Sequence, residues 1–404
     1  MRASQPLGEI ADVVRGISFP KHAKSLEPRS GDVACLRTTN VQREVEWDDL
    51  WYVPSEHVKR AEQFVQAGDI LISTANSYEL VGKVALVSAV QRQATLGAFI
   101  SLIRARPGVD PRFLYHQLAW GRTQSRIRET ASTTTNISNV STKQLAALEL
   151  DVPSLDDQRR IVAELEKQFS RLDGAVANLQ RSAANLLAYK QAAVREAIWG
   201  DRSAAPATED LPRGWSLAAL SELGELGRGK SKHRPRNDPK LYGGQYPFIQ
   251  TGDVRRSAGE IREFTQTYSE FGLQQSRLWP AGTLCITIAA NIAETGILAA
   301  PACFPDSVVG FVSADETLVR YVELFFRTIR AHLERFAHAT AQKNINLSIL
   351  ERIQVPLPPA SERERIVAEV DRRLSIAKEV EAEVRRSMQR ASNLRQAALQ
   401  DAFN

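Results

Sequence analysis

The chain has 404 residues, 43% hydrophobic and 25% charged, with a formal net charge of +5. That is too long for one ordinary domain and too apolar for a disordered chain, and no apolar run approaches the length of a membrane span. The opening MRASQPLGEI has no signal-peptide pattern, and Cys35, Cys285 and Cys303 lie far apart, with no CxxC and no histidine at ligand spacing. These features exclude a disulfide framework and a structural zinc site, and they set the expectation of a cytoplasmic protein without a metal. The positive surplus forms no basic tail, so any anion-binding surface must come from local clusters.

In chain order, VACLRTTNV (33–41), DILIST (69–74), KVALVSAV (83–90) and ATLGAFISLI (94–103) read as short strands parted by glycine and proline turns. DPRFLYHQLAWGRTQSRIRE (110–129) reads as a helix that completes a first domain over 1–150. A long helix then occupies 151–200: Ser154 with Asp157 resembles a capping box behind Pro153, and Gly200 closes it. Its apolar residues repeat in heptads, with Val162, Phe169 and Val176 on one seam position and Leu165, Leu172 and Leu179 on the other. DRSAAPATEDLP (201–212) is a linker.

A second domain follows over 213–354, with strand-like YPFIQTGDV (246–254), TLCITIAA (283–290) and GFVSADETLVRYV (310–322), and helical YVELFFRTIRAHLERFAHA (321–339). The last segment, 355–404, is again a long helix, with Ser361 and Glu364 as its capping box and a seam of Val367, Val370, Leu374, Ala377 and Val384. Glu381 and Arg395 interrupt this second seam.

The two halves are one pattern written twice. Arg160-Ile161-Val162-Ala163-Glu164 recurs as Arg365-Ile366-Val367-Ala368-Glu369, an offset of 205. LRTTNV (36–41) matches IQTGDV (249–254) at an offset of 213, and AGDILIST (67–74) matches AGTLCITI (281–288) at 214. Each half is therefore α/β or α+β followed by one long helix, and two homologous helices in one chain are expected to pair with each other. About 40 helical residues make a rod of roughly 60 Å.

RGKSKHRPR (228–236) places Arg228, Lys230, Lys232, Arg234 and Arg236 together without an acidic residue, a pattern that favours a phosphate backbone. The first half has a thinner counterpart in Lys21, His22 and Lys24. Polar clusters supply candidate base readers: Thr38-Thr39-Asn40, Asn76-Ser77-Tyr78, Thr133-Thr134-Thr135-Asn136 and Gln342-Lys343-Asn344. Tyr78 could also stack on a base.

Catalytic constellations are absent. GELGRGKS (224–231) satisfies the phosphate-loop pattern letter for letter, but KHRPRNDPKLYGG follows it, and its prolines and glycines oppose the required helix. No GxSxG, HExxH or amino-methyltransferase tetrapeptide occurs.

LPRGW (211–215), LSELGELGRGKSKHRPRNDPKLYGGQYPFIQTGDV (220–254), VPSLDDQRRIVAEL (152–165) and VPLPPASERERIVAEV (355–370) resemble the DNA specificity subunit of Type I restriction-modification systems. The resemblance spans the whole chain as two target-recognition domains, each followed by a spacer helix. It implies an antiparallel coiled coil and recognition domains that each read one half of a bipartite DNA site. It also implies helices that set the gap between halves and dock two methyltransferase subunits, with restriction subunits joining in some complexes. The chain itself would be non-catalytic and bind no cofactor. S-adenosylmethionine would belong to the methyltransferase partner, and ATP and magnesium to a restriction partner. A free-standing DNA-binding protein with a coiled coil and a phosphate-loop NTPase are the alternative readings.

Overall fold

The runs Ile70–Ser73 and Leu284–Thr287 are buried at every position. Continuous apolar strands of this kind belong at the centre of a sheet covered on both faces. In a computed structural model that describes residues 3–134, 137–200, 211–339 and 344–404, both runs do so. The first sheet is ordered Ala11–Arg15, Ile100–Ala105, Ile70–Ser73, Val84–Leu86, all antiparallel. The second repeats it as Glu225–Arg228, Val308–Val312, Leu284–Thr287, Thr295–Leu298, and adds Glu260–Ile261 as a parallel edge.

The two sheets differ where one residue demands it. In the second, Gly227 pairs with Gly310. A Cβ at either would stand 2.6 or 2.9 Å from the ring of Trp279, which is fully buried and stacked on Phe304 at 5.0 Å. The two glycines leave the slot that this indole fills.

Each domain closes on a two-stranded ladder that leads into its long helix: Ala3–Pro6 with Glu149–Val152, and Ser216–Ala219 with Gln354–Leu357. The expected helix over 110–129 is two helices, Pro111–Ala119 and Gly121–Glu129, separated by an extended Trp120. The break is capped from far along the chain, because the amide of Gly121 donates to Gln396 Oε1 at 3.0 Å. Its counterpart, Glu316–Ala339, runs unbroken for 24 residues.

The long helices are Leu155–Trp199 and Ala360–Phe403, 45 and 44 residues. Ser154 caps the first, its Oγ accepting from the amide of Asp157 at 3.3 Å. Ser361 does not cap the second, because that helix begins one residue earlier and holds Ser361 in its first turn.

The chain divides into two compact units, Met1–Leu179 with Arg386–Asn404, and Gln180–Arg385. Within the first, Val162, Leu165 and Phe169 share a core with Phe113, Leu399 and Phe403, and Leu172 packs against it. Within the second, Lys190 pairs with Glu381, and Glu196 with Arg373 at 3.0 Å. Partner numbers fall as helix numbers rise, so the two helices run antiparallel. Val370 is fully buried, and Val176, Leu179, Val367, Leu374 and Val384 are half-buried along the seam. The two charges that interrupt it are both satisfied: Glu381 by Lys190, and Arg395 by Asp173 at 3.2 Å and by the face of Phe169 at 4.0 Å.

Candidate nucleic-acid interface

The cationic run 228–236 folds into a compact loop tied by its own backbone. The amides of Gly229, Lys230 and Lys232 donate to Val308 O, Phe304 O and Gln275 O, and Ser276 Oγ donates to Lys230 O at 2.8 Å. These amides cannot cradle a phosphate in the manner of a nucleotide-binding loop, and a single 3-10 turn, Pro239–Leu241, follows in place of a helix. The fold also supplies an anion that the local sequence lacks. Asp306 accepts Arg236 at 2.9 Å, and its carbonyl accepts Arg228. Arg234 is turned onto the carbonyls of Ser231 and His233 at 2.7 and 2.9 Å. Lys230 and Lys232 are exposed and, among the described residues, make no ion pair. They are the members of the cluster whose charge is available to a phosphate.

In the first domain, Lys21 lies exposed in a 3-10 turn, while Lys24 sits over the ring of Trp51 at 4.0 Å, which Arg37 shares at 4.8 Å. Asn76 spends its amide locally, donating to Ser73 Oγ at 3.3 Å and accepting from the amide of Ser77 at 2.9 Å. Tyr78 is 51% exposed at the turn beyond it. Lys343, with Gln342, Thr135 and Asn136, lies outside the described residues.

The repeated motif around 36–41 and 249–254 has a structural cause. Asn40 and Asp253 are both 2% exposed, and each accepts the backbone amide three residues earlier, from Arg37 at 2.8 Å and from Gln250 at 2.9 Å. Asn40 also donates to Asp48 O at 2.9 Å, so its amide is engaged within the fold and is not presented to a base. The motif fixes the turn, and the residue two positions further on is the half-buried Gln42 in one repeat and the exposed Arg255 in the other. Neither stands out by composition; only the shared offset of the motif singles them out.

Gln42 accepts from Lys83, and Arg255 donates to Asn291 at 3.1 Å with Glu294 at 3.8 Å. Glu294 is largely buried and also holds Arg330 at 2.7 Å. Burial raises its carboxyl above the usual range, and Arg330 and Arg255 oppose that rise. The hairpin carrying Asn291 is strained: Ala290, Asn291 and Ala293 all have positive φ, at 44°, 50° and 58°. Each costs on the order of 1 kcal/mol and persists because its surroundings hold it.

Charge ties each domain to its long helix, buried in the second domain and about half exposed in the first. In the second, Glu323 is fully buried and receives Arg320 at 2.7 Å and Arg327 at 2.6 Å. Arg320 reaches on to Asp371 of the long helix, and Arg327 to Ala258 O at 2.9 Å, beside the Arg255 turn. In the first, Tyr115 Oη donates to Arg43 O at 2.9 Å, and Arg43 Nη2 reaches Asp173 at 2.6 Å. The hydrogen bond from Arg43 holds the Asp173 carboxyl below its ordinary range.

Among the described residues no cluster of histidine, cysteine or carboxylate side chains could hold a metal, and no helix is long and apolar enough to cross a membrane. The three cysteines are free and buried.

Comparison with known proteins finds the family described as Type I restriction modification DNA specificity domain matching twice, at residues 4–176 and 212–386. The chain is 22% identical over 98% of its length to the Type I restriction enzyme EcoKI specificity subunit of Escherichia coli K12, covering 87% of that protein. It is 21% identical over 99% of its length to the StySPI specificity subunit of Salmonella potsdam, covering 88%. The same fold occurs in a chain from a structural study of complex assembly and conformational transition in the type I R-M system, with a TM-score of 0.73 at 18% identity, covering 100% of this chain and 97% of the other. It occurs again in the HsdS subunit of Thermoanaerobacter tengcongensis, with a TM-score of 0.52 at 19% identity, covering 99% and 96%.

Proposed function

The chain belongs to the Type I restriction-modification DNA specificity family through both of its halves, and from that membership we propose how it works. Each recognition domain reads one half of a bipartite DNA site. The antiparallel helices fix the unread gap between halves and dock two methyltransferase subunits, which bring S-adenosylmethionine and flip out adenines for methylation. Restriction subunits using ATP and magnesium join the assembly, and this chain performs no chemistry.

The observation that carries the reading is the duplication of one recognition unit, each copy followed by a helix of nearly equal length. Two copies of a reader on one rod need two sites at a fixed separation. A helix of 45 residues is about 67 Å long, about 20 base pairs at 3.4 Å each, which accommodates two half-sites about one turn apart.

The test exchanges residues 1–150 for the matching domain of a relative and maps methylation by the assembled complex. One half of the recognised site should change, while the other half and the gap stay fixed. Alteration of both halves would contradict independent reading.

A further inference from the structure

Gln42 and Arg255 hold one position in the two repeats, each two residues past its buried cap. Each bridges to the hairpin that follows the central strand of its sheet, Gln42 to Lys83 and Arg255 to Asn291. The scaffold is shared, and the chemistry presented on it differs.

The amide of Gln42 is fixed on both sides. Its Nε2 donates to Thr39 O at 2.8 Å, and its Oε1 accepts from Lys83. An amide has two N–H donors and two acceptor lone pairs, so the half-buried Gln42 amide keeps one donor and one acceptor uncommitted. That pair complements the N7 acceptor and N6 donor of an adenine edge. Arg255 is held by Asn291 through one Nη1 donor, and its side chain is 64% exposed. Its remaining donors complement the N7 and O6 acceptors of guanine. The hairpin beside it is locked in its strained shape by Thr287, whose Oγ accepts from the amide of Glu294 at 3.0 Å and donates to Asn291 O.

We propose that Gln42 and Arg255 are base-reading residues, with Gln42 specifying an adenine in the half-site of the first domain and Arg255 a guanine in that of the second. The inference rests on the DNA-reading function above and assigns it to two side chains.

The full chain, in complex with its methyltransferase partner, is used to select sites from randomised duplex DNA. The unaltered complex should return two half-sites, one containing adenine and the other guanine. Gln42→Ala should lower discrimination by about 10-fold or more at one adenine, and Arg255→Ala at one guanine, with the opposite half unchanged. Gln42→Arg should move the first preference from adenine to guanine. Asn291→Gly, which keeps the left-handed backbone and removes the amide, should weaken the guanine preference alone. Variants that bind all sequences less well with every base preference intact would overturn the proposal, leaving these residues as phosphate contacts. So would an unaltered motif without adenine in one half and guanine in the other. If the unaltered complex selects no sequence, the DNA-reading function itself fails.

Discussion

Glu166 and Asp371 occupy the same turn of the two long helices, and each receives an arginine from the recognition domain of its own half, Arg112 at 3.0 Å and Arg320. The repeat therefore preserves a carboxylate as the attachment point between reader and rod, while the arginine that answers it comes from a different position of the domain. The second attachment runs deeper, because Arg320 also serves the fully buried Glu323.

Replacing Asp371 by alanine should cost about 1–2 kcal/mol in urea-induced unfolding, since Arg320 is largely shielded. Glu166→Ala should cost less than about 1 kcal/mol, because Arg112 is 58% exposed. Equal losses at the two sites would contradict the difference in burial.

His116 supplies a pH dependence. Burial first, and then the nearby Arg395 and Arg43, push its imidazole down from 6.5 to about 4. The folded form thus holds the ring neutral where the unfolded chain would protonate it. Stability from this group is complete above pH 6.5 and is lost as pH falls toward 4, by roughly 2 kcal/mol at pH 5 and about 3 kcal/mol at the limit. Denaturant titrations between pH 7.5 and 5 should show this slope in the unit containing residues 1–179, and His116→Leu should abolish it.

The phosphate contacts proposed for the second domain are unequal. Lys230→Ala with Lys232→Ala should flatten the dependence of log K on log salt by about 1.8, near 0.9 for each phosphate released. Arg236→Ala should do less, because Asp306 already neutralises its guanidinium. A salt slope untouched by the double lysine change would remove this loop from the interface.

The rod can be lengthened without disturbing its seam. Seven residues inserted in each long helix at matched depth preserve the heptad register and add about 10 Å, or about three base pairs. Methylation mapping should then return the same half-sites with a longer preferred gap. An unchanged gap in an active complex would place the spacing elsewhere.

Much of the architecture is legible in residue order. The heptads at Val162, Leu165 and Phe169 and the repeated 160–164 and 365–369 segments carry helix, duplication and pairing, because those signals are periodic and local. The candidate interface is less legible, because the partners that shape it are distant in sequence. Asp306 neutralises Arg236 from 70 residues away, and Gln396 caps the break at Gly121 from 275. Asn40 illustrates the opposite error: an asparagine between polar neighbours suits a base, and burial turns it into a cap.

The compact units have a consequence for synthesis. The first is completed by residues 386–404, whose Leu399 and Phe403 cover Phe113, Val162, Leu165 and Phe169. Those residues leave the ribosome more than 200 positions after Leu179, a delay on the order of 10–40 s at ordinary elongation rates. The second unit, Gln180–Arg385, is a continuous stretch of chain and has all its residues before the first does. The amino-terminal unit is thus the last to have all its residues, and until then the apolar side chains that Leu399 and Phe403 cover lack that cover. A nascent chain stalled before residue 386 should be cleaved first within residues 1–179.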